Sequence, residues 1–129
     1  MAQLLQVDKK MRMNQWDITK FQLIVHCYLS GIKMSDHDLS CLTLLGITGE
    51  QILEDFCQRA VDNEIFSSAQ SARNALSKAE KKRLITKQGK NRKKIMINPA
   101  LNILSLGNIL LNYKIVRLEN VKQLEPQES

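Results

Sequence analysis

Aromatic side chains are scarce in this 129-residue chain: one Trp, two Tyr and three Phe make up 5%. Aliphatic residues must therefore supply most of the packing, in a core that a chain of this length can bury as one domain. There are two Pro and five Gly, and no repeat or low-complexity tract. Apolar runs break well before 18 residues, so no membrane span is expected. The opening residues lack the basic region and long apolar stretch of a signal peptide. Cys27, Cys41 and Cys57 are odd in number, lie in apolar surroundings and show no close-pair spacing. They read as buried thiols of a soluble, cytoplasmic protein. No Gly-rich phosphate loop, paired-carboxylate arrangement or nucleophile motif is present, so neither catalysis nor a cofactor is expected.

Acid is also missing from one long stretch. Arg73 to Lys94 holds ten Lys/Arg and a single acid, Glu80, for a net +9. The whole chain is only +6, so the remainder is −3, with nine basic and twelve acidic residues. Charge segregated in this way marks a surface for a polyanion rather than general solubility. A Lys/Arg run at a helix end often serves only the C-terminal dipole, which accounts for Lys81, Lys82 and Arg83. It does not account for the further cations after Gly89.

Periodicity predicts four helices. Residues 1–16 read as an N-terminal arm. Asp17 caps a first helix whose apolar stripe is Ile18, Phe21, Val25 and Tyr28, ended by Gly31. Trp16 stands before it as a core anchor or interface residue. Ser35 with Asp38 opens a second helix carrying Leu39, Leu42 and Leu45, stopped by Gly46. Thr48 with Gln51 opens a third, burying Ile52, Leu53, Phe56, Cys57, Ala60 and Val61; its outer face (Glu50, Glu54, Asp55, Asp62) is acidic and unsuited to a phosphate backbone.

Ser67 with Gln70 opens the fourth helix, running to about Lys82. Steps of 100° put Ala69, Ala72, Ala75, Leu76 and Ala79 on one side. Gln70, Ser71, Asn74, Ser77, Lys78 and Lys81 fall opposite, with Arg73 on the flank. Next come a strand at 84–87, a turn at 89–92 and a return strand at 94–98, ended by Pro99. Residues 100–108 read as irregular or one helical turn. A strand over 109–118 and a frayed tail at 125–129 complete the C-terminal extension, residues 100–129.

The run Ala72-Arg73-Asn74-Ala75-Leu76-Ser77-Lys78-Ala79-Glu80-Lys81-Lys82-Arg83-Leu84-Ile85 resembles the recognition helix and first wing strand of MarR-like regulators. Ile95-Met96-Ile97-Asn98-Pro99 is similar to the wing exit of some plasmid replication proteins. The resemblance covers roughly residues 17–99 and implies a winged helix-turn-helix, mainly α with a small β-hairpin wing. Two departures stand out. Arg83 occupies the place where such families usually close the helix with Gly, and the Asp-Arg pair common in MarR-like wings is missing.

The resemblance implies double-stranded DNA as the partner, in transcription regulation or in replication and maintenance of a mobile element. Gln70 and Asn74 would pair with adenine edges and Arg73 with guanine. Ser71 and Ser77 would reach phosphate, while Lys78 lies on the same face. Lys81, Lys82, Lys90, Arg92, Lys93 and Lys94 would contact the backbone. A winged-helix adaptor binding an acidic protein partner, and an RNA binder, are the competing readings. DNA readers of this size often pair so that two helices meet two half-sites; the strand at 109–118 or the N-terminal segment is the candidate homodimer contact. His26 reads as a packed or partly exposed side chain. His37 and Cys41 share a helix face at i, i+4 but lack the further ligands of a metal site.

Overall fold

A short antiparallel sheet flanked by helices organises the protein in the computed structural model, which describes residues 4–118. The chain runs β1 (Leu4–Arg12), α1 (Gln15–Leu29), α2 (Asp36–Thr48), β2 (Gln51–Ile52), α3 (Leu53–Asp62), α4 (Ala69–Lys81), β3 (Ile85–Gln88), β4 (Lys94–Ile97) and β5 (Leu110–Leu118). Single 3₁₀ turns occupy Lys90–Arg92 and Pro99–Leu101. The fold is thus mixed α/β, four helices with a small antiparallel sheet of order β2-β4-β3. Residues 13–109 form one compact unit, and β1 with β5 belong to a second. The expected frayed tail at 125–129 lies outside the described residues.

Four helices form where expected, but their ends shift. Asn14, not Asp17, caps α1: its Oδ1 accepts from the Asp17 N–H (2.7 Å) while its amide donates back to Asp17 Oδ2 (2.9 Å). Ser35 caps α2 as predicted, accepting from the Asp38 N–H at 3.1 Å. This helix continues through Gly46 to Thr48, ending at Gly49 with φ 79°. Thr48 and Gln51 therefore do not open α3. Gln51 instead pairs with Ile95 in β2, its amide donating to Thr48 Oγ1 and the Gly49 carbonyl. A third strand thereby joins the expected hairpin. Ile52, expected inside, is exposed beside Lys94. Phe56, Cys57 and Ala60 are fully buried.

The apolar stripe expected of α1 also turns over. Of Ile18, Phe21, Val25 and Tyr28, Ile18 alone is buried, and α1 faces the core through Ile18, Thr19, Leu23 and Cys27. Trp16 lies inside α1 and packs partly against the core. Where α1 meets α2, a Cβ on Gly46 would stand 3.1 Å from Thr19 Cγ2, so the bare glycine sets how closely the helices approach. Thr19 is fully buried, and its Oγ1 finds no partner among the described residues. An unmade buried hydrogen bond costs about 1–3 kcal/mol. Thr19→Val should raise stability by about 1 kcal/mol, read as a higher urea midpoint at unchanged slope.

All three cysteines are free and buried. Burial raises the Cys27 and Cys57 thiols, and pushes Cys41 up to about 12, with the neighbouring Cys57 and Asp38 adding to the shift. The native thiols therefore stay protonated at neutral pH. With Cys41 raised in the folded chain, its contribution to stability is complete below pH 9, the ordinary value, and is lost as pH climbs towards 12.

The segment after Pro99 is stitched to α1 by two side chains, Gln22 and Gln15. The Gln22 amide donates to the Leu104 carbonyl (2.6 Å) and accepts from the Leu104 N–H (2.9 Å), as a strand neighbour would. Gln15 donates to the Ser105 carbonyl, and the Ser105 hydroxyl to that of Gly46.

In the second unit, β1 and β5 are antiparallel from Leu4↔Leu118 to Arg12↔Leu110. The strand expected near 109–118 is present, and its partner is the segment read from sequence as an arm. Val7, Lys9 and Met11 share a face with Leu111, Tyr113 and Ile115.

Candidate nucleic-acid interface

Helix α4 begins one residue later than expected. Ser68, not Ser67, is its cap and accepts from the Ser71 N–H at 3.2 Å. Ala72, Ala75, Leu76 and Ala79 are buried, and Ala69 is half-buried, so the small-residue side docks α4 closely. Gln70 and Asn74 point outward and bond each other, Gln70 Nε2 donating to Asn74 Oδ1 at 3.0 Å. Ser77 and Lys81 are exposed, whereas Arg73 is half-buried.

On α4 and at its cap, three residues of the expected interface are engaged within the protein. Ser71 is half-buried, its hydroxyl 3.0 Å from that of Ser68. Lys78 Nζ reaches the buried Asp38 carboxylate on α2 at 3.0 Å. Lys82 donates to the Lys33 carbonyl at 3.2 Å. The two lysine contacts lock α4 to its surroundings and the Ser71 contact lies within its own N-terminal cap, while Gln70, Asn74, Ser77 and Lys81 stay outward.

The exit of α4 solves the missing-glycine problem directly. Arg83 itself takes the left-handed conformation, φ 61°, with its N–H on the Glu80 carbonyl and the Leu84 N–H on that of Ala79. This is a Schellman closure, usually made by Gly. Glu64 closes α3 in the same way. A non-glycine residue in this region costs about 1–2 kcal/mol. Arg83→Gly should therefore raise the melting temperature, by about 1 kcal/mol in stability, despite the loss of a cation.

Between β3 and β4 the chain turns over residues 89–93. Gly89, Asn91 and Arg92 all have positive φ (86°, 60° and 54°). The turn brings Lys90, Arg92, Lys93 and Lys94 to one tip, all exposed. Among the described residues, no carboxylate lies within ion-pair distance of Lys81, Lys90, Lys93 or Lys94. Asn98 ties the return to the helix exit: its amide donates to the Arg83 carbonyl, and its N–H to that of Leu84.

Sequence reasoning missed the role of Glu80, the single acid in the basic stretch. Its carboxylate accepts from Arg92 and lies 3.6 Å from Lys87 Nζ, bracing the hairpin against α4. The signal was its isolation among ten cations. Partly exposed pairs of this kind are worth at most about 1 kcal/mol. Releasing both cations by Glu80→Gln should lower stability by no more than about 1 kcal/mol, read from the urea midpoint.

His37 Nδ1 donates to the Ile65 carbonyl at 3.1 Å, and its ring lies 6.3 Å from that of Phe66. Among the described residues, no three His, Cys, Asp or Glu side chains gather as a metal site. Among the described residues, no helix is long and apolar enough to cross a membrane. Comparisons with protein-family models, curated proteins and solved structures returned no match.

Proposed function

We propose that this protein binds double-stranded DNA as a winged helix-turn-helix, with α4 in the major groove and the β3–β4 hairpin as the wing. The order α2-β2-α3-α4-β3-β4 and the sheet order β2-β4-β3 suit that reading. The observation that carries it is the outward Gln70–Asn74 amide pair on an acid-poor helix face, followed by an exposed basic hairpin tip. Amide side chains held in that way can present donor and acceptor to the N6/N7 edge of adenine, while cations on flexible stems follow phosphate. Specificity then comes from α4 and affinity from the wing. Three protonated, buried thiols suit the reducing cytoplasm. The role is that of a transcription regulator or a replication or maintenance factor of a mobile element.

Fluorescence anisotropy with duplex DNA over a salt series tests the proposal. About five neutralised phosphates give a log–log slope near −4 to −5. An absence of duplex binding at low salt would turn the reading towards an adaptor for an acidic protein, and preference for single-stranded or hairpin RNA towards the third reading. Selection from a random duplex pool would show which bases α4 reads.

A further inference from the structure

Between the start of α3 and the hairpin tip lies a cavity of about 500 Å³, within the roughly 300–1,000 Å³ of small-molecule sites. Its lining has two chemistries. Ile52 and Leu53 supply the apolar part, and Ile52 stays 45% exposed although a large aliphatic side chain gains by burial. Lys87, Arg92 and Lys93 supply the cationic part, together with the Asn91 amide. These groups are held from outside the cavity. Glu80, which does not line it, pairs with Lys87 and Arg92, and the Lys87 side chain is only 18% exposed. The Leu53 N–H donates to the Lys93 carbonyl at 2.7 Å and ties the tip to α3. Asn91 and Arg92 are successive non-glycine residues at φ 60° and 54°. Left-handed backbone of this kind persists where its surroundings over-determine it, and it gathers at ligand clamps.

We propose that this cavity binds a small organic phosphate carrying a flat, largely apolar ring, of the nucleoside monophosphate class. Three cations offer more donors than the two oxygens of a carboxylate can match, and they suit the three terminal oxygens of a phosphate monoester. Arg92 keeps donors beyond the Nη2 that meets Glu80. Ile52 and Leu53 leave an apolar ledge for the ring. Glu54 is the one acid in the lining, with no cation in ion-pair distance among the described residues. Its carboxylate is an acceptor for a hydroxyl or amino group of the same ligand. The cavity shares Arg92 and Lys93 with the proposed wing, but it does not depend on duplex binding and is tested without DNA.

Isothermal titration calorimetry of the full chain with adenosine monophosphate should give one site per chain, with Kd on the order of 0.1 mM at low salt. Inorganic phosphate and adenosine, each carrying half of the ligand, should bind at least about tenfold more weakly. Lys93→Gln removes no core contact and should weaken the nucleotide about tenfold. Ile52→Ser should weaken it about fivefold yet leave inorganic phosphate unaffected. Arg59→Gln, on α3 outside the cavity, should change neither. No saturable binding of the nucleotide up to about 5 mM overturns the proposal, whether or not duplex DNA binds. So does adenosine binding as tightly as its monophosphate, or an affinity untouched by both Lys93→Gln and Ile52→Ser. Equal weakening by Arg59→Gln and Lys93→Gln overturns it as well, since that marks mere attraction to a chain of net charge +6.

Discussion

Replacing Lys90, Arg92, Lys93 and Lys94 together by Gln is expected to weaken duplex binding on the order of a hundredfold at about 0.1 M salt, and to flatten the salt slope by about four. All four side chains are exposed and make no core contact, so the variant should unfold at nearly the wild-type temperature. Among the described residues Arg92 is the one of the four with a carboxylate partner, Glu80 on α4. Restoring Arg92 alone should therefore recover less affinity than restoring Lys93 or Lys94. The measurement is anisotropy at several salt concentrations. Unchanged slope in the quadruple variant would remove the hairpin from the interface.

Leu76→Ala should act in the opposite manner, through stability. Leu76 is fully buried beneath α4, where neighbouring Ala72, Ala75 and Ala79 leave little that could move in to fill a gap. Large-to-small changes of this type cost about 2–5 kcal/mol. For a unit of this size each kcal/mol lowers the midpoint by about 4–8 °C, so the expected drop exceeds about 10 °C. The outward surface is untouched. At temperatures where the variant remains folded, the salt slope should equal that of wild type. A changed slope would mean that α4 had been displaced.

Helices were legible where their signals are local. The Ser35–Asp38 pair and the alanine side of α4 need only neighbouring residues, and both are found as read. Thr48–Gln51 has the same spacing as a cap, yet Gly49 at φ 79° breaks the helix and Gln51 pairs with Ile95, over forty residues away. Nothing in the local pattern distinguishes the two cases. In α1, two apolar stripes lie side by side, and periodicity cannot rank them; packing against α2 chose Leu23 and Cys27 over Phe21 and Val25. The N-terminal strand was hidden because its partner begins almost a hundred residues later.

At the candidate interface, residue types told which side of α4 is polar, but not which polar groups are already occupied. Lys78 is committed to Asp38 and Lys82 to Lys33 by contacts that only the helix packing creates. Glu80 likewise gains its partner through the chain reversal at Gly89, which returns Arg92 to the helix end.

Pairing of Leu4 with Leu118 places both ends of the terminal ribbon side by side. Any segment joined before one or after the other leaves from the same spot. A pull applied through both would unzip the ribbon one residue pair after another, rather than sliding its strands past each other. The two strands would thus separate at low load, and residues 13–109 would carry tension only once they had parted.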